Sequence, residues 1–115
     1  VDNFTDKTWV HFSRTKKGIV EFTNQLIKLI TGLGYQIKFI RCGNAGEHKG
    51  KLEELSKDNG ITLEFTSPHT PQQNAIAEKK IHVIWTRGMT MMVHAKMTKE
   101  TQNLFWAEAK ACSVA

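Results

Sequence analysis

The side chains of this chain that could do chemistry are concentrated in two polar loops and one helix face. The first loop reads Arg41-Cys42-Gly43-Asn44-Ala45-Gly46-Glu47, and the second reads Ser67-Pro68-His69-Thr70-Pro71-Gln72-Gln73-Asn74. Each follows a short apolar stretch with strand character, and in open α/β sheets ligands gather past the carboxyl ends of parallel strands. The second loop runs directly into Ala77-Glu78-Lys79-Lys80. Glu78 thereby falls in the first turns of a helix, where the positive end of the peptide dipole stabilises a carboxylate. Lys79 and Lys80 point away from it.

Glu78 and His82 are four apart on one helix face, a spacing that can hold a metal or form a surface pair. No second His or Cys pair completes a zinc site, so the surface pair is our reading. His48 and His69 sit in the two loops as solvated turn residues, without an assigned role. Trp9, Trp85 and Trp106 could stack on bases, but tryptophan on amphipathic elements usually packs in a core, and we assign all three to packing.

These loops need a scaffold, and the periodicities supply one. Trp9-Val10-His11-Phe12 alternates like a strand, with Val1 and Phe4 ending an earlier one, which predicts a hairpin. Ile19, Phe22, Leu26 and Ile30 mark one face of a helix beginning at Gly18, with Gly32 and Gly34 as stops. Ile37 to Cys42 reads as a strand, and Leu52 and Leu55 as a brief helix ending at Asp58-Asn59-Gly60. Ile61, Leu63 and Phe65 alternate with polar residues as a strand with one buried face. Strand, helix, strand implies a right-handed parallel crossover. Gln73 to about Met92 predicts a long helix with Ala77, Ile81, Ile84, Gly88 and Met91 in one stripe. A last helix carries Phe105, Ala109 and Cys112. The order is an α/β pattern, a mixed sheet with flanking helices.

The 115 residues have room for one domain but not for a second with its own core. The chain opens without methionine and stops inside an apparently helical stretch, so we expect both ends to be cut. With 40% hydrophobic and 23% charged residues it has the composition of a soluble globular protein. No apolar run is long enough to span a bilayer and no secretion signal opens the chain, which predicts an intracellular protein. Cys42 and Cys112 form neither a C-x-x-C pair nor a disulfide framework, in keeping with a reducing compartment. The net charge of +5 favours polyanions such as nucleic acid.

Thr70-Pro71-Gln72-Gln73-Asn74 followed by Ala77-Glu78-Lys79-Lys80 resembles the T-P-Q-Q-N-G-x-x-E-R-K signature of copia-type retrotransposon integrase catalytic cores. Val1-Asp2-Asn3-Phe4-Thr5 with Thr8-Trp9-Val10, Ile40-Arg41-Cys42 with Asn44-Ala45-Gly46-Glu47, and Leu104-Phe105-Trp106-Ala107-Glu108-Ala109 resemble other blocks of the same cores in the same order. The resemblance implies residues 1–115 are a partial core with an RNase H-like fold, lacking its first central strand and leaving two sheet edges open to pairing. It also implies a DDE site, two aspartates and a glutamate around paired magnesium or manganese ions. Hard divalent cations require anionic oxygen ligands, and the two metals stabilise attacking and leaving oxygens during DNA 3′-end processing and strand transfer.

Carried over residue by residue, the glutamate falls on Glu78, while Gly43 occupies the place of the middle aspartate. The first aspartate belongs to a strand before Val1. Asp2 matches an acid that is not a metal ligand in the family. A single carboxylate cannot hold two ions, and Asn44 or Glu47 would be displaced substitutes. The implied protein is a degenerate integrase core without catalysis, keeping Glu78 as a vestigial metal ligand. Its candidate phosphate contacts are Lys79, Lys80 and Arg87, whose alternative reading is a solvated helix face. Ala75 replaces the family's glycine and would be strained in a left-handed conformation. The alternatives are a non-catalytic DNA-binding module and a homodimerising one. The family setting further implies nuclear residence, with no membrane and no small-molecule substrate.

Overall fold

Glycines just past helix-periodic stretches set where two helices of this chain stop. In the computed structural model, which describes residues 1–43, 46, 49–67 and 74–114, helix α1 spans Gly18–Gly32 and α2 spans Lys49–Asp58. Past α1, Gly34 takes φ +85°, its amide donates to the Thr31 carbonyl at 2.9 Å, and Tyr35 N–H reaches Ile30 at 3.2 Å. Past α2 the pattern repeats: Gly60 has φ +66°, its amide donates to Lys57 at 3.1 Å, and Ile61 N–H donates to Ser56 at 2.8 Å. Each is a Schellman closure, in which a left-handed residue turns the chain so that otherwise orphaned carbonyls are satisfied.

Strands β1 (Phe39–Cys42) and β2 (Thr62–Phe65) flank α2 and pair in parallel, with Phe39, Ile40, Arg41 and Cys42 opposite Thr62, Leu63, Glu64 and Phe65. This is the expected strand–helix–strand crossover. Among the described residues, Ile27, Leu52 and Ile61 are the buried apolar ones around it, joined by the small Ser56.

Helices α3 (Ala75–His94) and α4 (Lys99–Cys112) pack on each other. Between them Lys96 adopts φ +55°, with Lys96 N–H to Val93 at 2.9 Å and Met97 N–H to Met92 at 3.1 Å. The same closure is thus made here without glycine. Thr98 then caps α4, its hydroxyl oxygen accepting from Thr101 N–H at 3.3 Å. The stripe on α3 that packs inward runs through Gly88 to Met92; Ile81 and Met91, expected on it, are 66% and 46% exposed. On α4 the buried position is Lys110, while Phe105 and Cys112 of the expected apolar face are exposed. The helix ends at Cys112, capped by Ser113.

The expected hairpin does not form: among the described residues no strand precedes β1, and the sheet has two parallel strands rather than a mixed set. The reason is local. The Asp2 carboxylate accepts from Phe4 N–H at 3.2 Å and from the Thr5 hydroxyl and amide, Asp2 N–H donates to the Lys7 carbonyl at 2.8 Å, and Asp6 turns left-handed at φ +59°. Side-chain capping of the backbone replaces a ladder. By internal packing the chain divides into two units, Ser13–Asn74 and Val1–Phe12 with Ala75–Ala115.

Candidate functional site

Within the Ser13–Asn74 unit, parallel pairing sets the carboxyl ends of β1 and β2 side by side. Cys42 faces Phe65, and Thr66 N–H donates to the Cys42 carbonyl at 3.0 Å. Both loops singled out from the sequence therefore leave from one end of the sheet, the end where α/β proteins bind ligands. Gly43, the first residue past β1, is exposed. Its backbone lies outside the left-handed region, and a Cβ built there meets nothing within 4 Å. Neither conformation nor space reserves this position for glycine. Asn44, Glu47, His48, His69 and residues 70–73 of the signature lie outside the described residues.

Arg41 and Glu64 face each other across the strands, the guanidinium donating through Nε at 3.0 Å and Nη2 at 2.8 Å to one carboxylate oxygen. Beside them the half-buried Cys42 thiol is pushed up from its ordinary value by burial, against a smaller opposing pull from the Lys49 ammonium. Lys49 rests over the Phe65 ring at 4.5 Å. A thiol held protonated here is a poor nucleophile and a poor metal ligand.

In the helical unit, Glu78 is exposed in the first turn of α3. Among the described residues it enters no ion pair, so the surface pair expected with the likewise exposed His82 does not form. Lys80 is held by the Asp6 carboxylate. That contact ties the N-terminal segment to α3 and partly occupies a cation expected to face phosphate. Lys79 and Arg87 are exposed and enter no ion pair among the described residues, so both stay available to an anion. Ala75 opens α3 with helical backbone and is absent from the positive-φ positions, so the strain expected of it does not arise. Asp2 is absorbed by its turn, its carboxyl held below the usual value mainly by the Thr5 hydroxyl.

Reading all three tryptophans as core residues does not hold. Trp85 and Trp106 are 54% and 42% exposed, and between them lies a feature that the periodicities do not reveal. Lys110 is 2% exposed, its ammonium 2.7 Å from the Trp85 ring centroid and 4.6 Å from that of Trp106. The i, i+4 spacing of Trp106 and Lys110 is the one signal of it in the sequence.

No protein-family model and no solved structure matches this chain. Curated proteins do. The retrovirus-related Pol polyprotein from transposon TNT 1-94 of Nicotiana tabacum is 32% identical over 111 residues, 95% of this chain. Those from transposons RE1 and RE2 of Arabidopsis thaliana are 30% and 29% identical over 99% of it. The chain spans about 8% of the length of each of these relatives. Its similarity is therefore to one stretch of plant retrotransposon Pol polyproteins. No helix among the described residues is long and apolar enough to cross a membrane.

Proposed function

We propose that this chain is a degenerate copia-type integrase core, descended from a metal-dependent polynucleotidyl transferase of RNase H-like fold and itself without catalysis. The observation that carries the reading is Gly43, a residue with no side chain at the position of the middle metal-binding acid. The similarity to retrotransposon Pol polyproteins and the Thr70 to Lys80 signature support the ancestry. The family's magnesium or manganese ions need clustered carboxylates. Among the described residues no group of three or more His, Cys, Asp or Glu comes together, and Glu78 alone does not fit such a pair of ions.

The test exploits the open space at Gly43. The chain with Gly43 and its Gly43→Asp variant, each fused to the upstream segment of a copia-type integrase, are assayed for manganese-dependent strand transfer. Activity only with aspartate is the expected result; activity with Gly43 in place overturns the reading.

A second reading, DNA binding without chemistry, is favoured by the exposed Lys79 and Arg87 and the +5 charge. It predicts that log affinity falls with log salt at about −0.9 per phosphate neutralised on duplex DNA. Lys79→Ala and Arg87→Ala would each reduce that slope by roughly one contact. A third reading, homodimerisation, draws on the exposed Ile81, Val93 and Leu104 of α3 and α4, and nuclear residence belongs with the integrase reading.

A further inference from the structure

The buried ammonium between two indoles is an incomplete arrangement. Lys110 lies in the floor of a groove of about 330 Å³ on the helical unit, lined also by Trp85, Met89, Met92, Gln102 and Trp106. Its Nζ has no hydrogen-bond partner, although an ammonium carries three donors and Lys110 is 2% exposed. The facing ring systems replace only part of the hydration the charge has lost. Among the described residues Lys110 enters no ion pair, and the Gln102 side chain, which donates to the Met97 carbonyl at 2.9 Å, offers Nζ no acceptor within hydrogen-bond distance.

We propose that this groove binds a small aromatic carboxylate, the anion reaching Lys110 Nζ by displacing the Trp85 indole from it and the ring lying against the Met89 and Trp85 side chains. Charge complementarity selects the anion, because a carboxylate bonded to the unpartnered ammonium recovers part of the solvation that burial removed. Burial also holds the Lys110 ammonium below its ordinary 10.5, the tendency that a neighbouring carboxylate reverses. The volume is at the small end of ligand pockets, which suits a single fused ring system rather than a folded partner. Trp106 is braced edge-on by Phe12 at 5.4 Å, whereas Trp85, 54% exposed, is the ring that covers the ammonium and that the anion must displace. The proposal is independent of the integrase reading.

The experiment titrates the 115-residue chain with 2-naphthoate and with its neutral isostere 2-naphthamide, following tryptophan fluorescence and indole N–H chemical shifts. The acid is expected to saturate in the submillimolar range and to bind at least about tenfold more tightly than the amide. In Lys110→Met that difference collapses to about twofold or less, and Trp85→Ala weakens both ligands. Equal affinity for acid and amide in the unsubstituted chain overturns the proposal, as does the absence of saturation by about 5 mM in folded protein. Sedimentation identifies the competing occupant. Self-association abolished by Lys110→Met, without naphthoate binding, assigns the groove to a second copy and also overturns the proposal. Should Lys110→Met fail to fold, the acid–amide comparison on the unsubstituted chain decides alone.

Discussion

The Ser13–Asn74 unit and the helical unit close their helices with the same turn but different residues. In the former, Gly34 and Gly60 occupy the left-handed position; in the latter Lys96 does, at φ +55°. Glycine enters that region freely, whereas an L side chain is driven toward the following carbonyl. The units also differ in what holds them. The first rests on a parallel ladder and three buried apolar side chains, Ile27, Leu52 and Ile61. The second turns on Gly88 of α3 meeting Lys110 of α4, with Met92 the one buried apolar residue among those described. Regular structure and its stop signals carry one unit, and a single close approach carries the other.

The comparison breaks most sharply at Gly88. A Cβ there would lie 2.8 Å from Lys110 Cγ and 3.2 Å and 3.3 Å from Lys110 backbone atoms, so the side chain alone cannot yield the space. Gly88→Leu should destabilise the chain by about 3 kcal/mol, the upper end of ordinary overpacking, read from denaturant midpoints. A neutral outcome would mean that α3 and α4 are not docked at this point.

Gly60→Ala, at φ +66° with open space around it, isolates the backbone term and should lose about 1 kcal/mol in thermal denaturation. Lys96→Gly tests the same turn in the other unit with opposite sign. Relief of the left-handed side chain outweighs the added freedom of the unfolded glycine, for a gain of about 0.5 kcal/mol. If both substitutions destabilise, the two closures are not equivalent. The smallest effect is expected at Arg41–Glu64. Although the guanidinium is doubly bonded, the side chains are 55% and 41% exposed, so a double-mutant cycle should return a coupling of about 0.3 kcal/mol that shrinks with added salt.

Legibility in the sequence follows the same divide. Helix α1, helix α2 and both strands are readable because periodicity and glycine stops agree, at Gly34 and at Gly60. The pattern of α3 fades near Met92 rather than at His94, the observed end, because Lys96 carries no sign of its conformation. The hairpin is absent because alternation in Trp9 to Phe12 says nothing about whether a partner strand exists, while Asp2 and Thr5 have a local alternative in their own backbone. On α4, hydrophobicity points to Phe105 and Cys112, but packing against Gly88 buries the lysine stem instead. At the candidate site, residue identity is the whole signal. Gly43 and Glu78 stand out by motif, and no physical pattern in the sequence marks either as special. What the structure adds is that Gly43 has space for a side chain and no backbone need to lack one, and that Lys80 is already held by Asp6.

That Asp6–Lys80 contact, with Phe12 against Trp106, also orders events in time. The helical unit is assembled from both ends of the chain, residues 1–12 and 75–115, whereas the other unit is continuous. Bringing the ends together requires closing a loop of the intervening residues before any contact rewards it, and such non-local closure slows folding. During synthesis, the Ser13–Asn74 unit can complete its ladder once β2 has left the ribosome. The N-terminal segment must wait, its Asp6 carboxylate unclaimed, until the helices that receive it have been made.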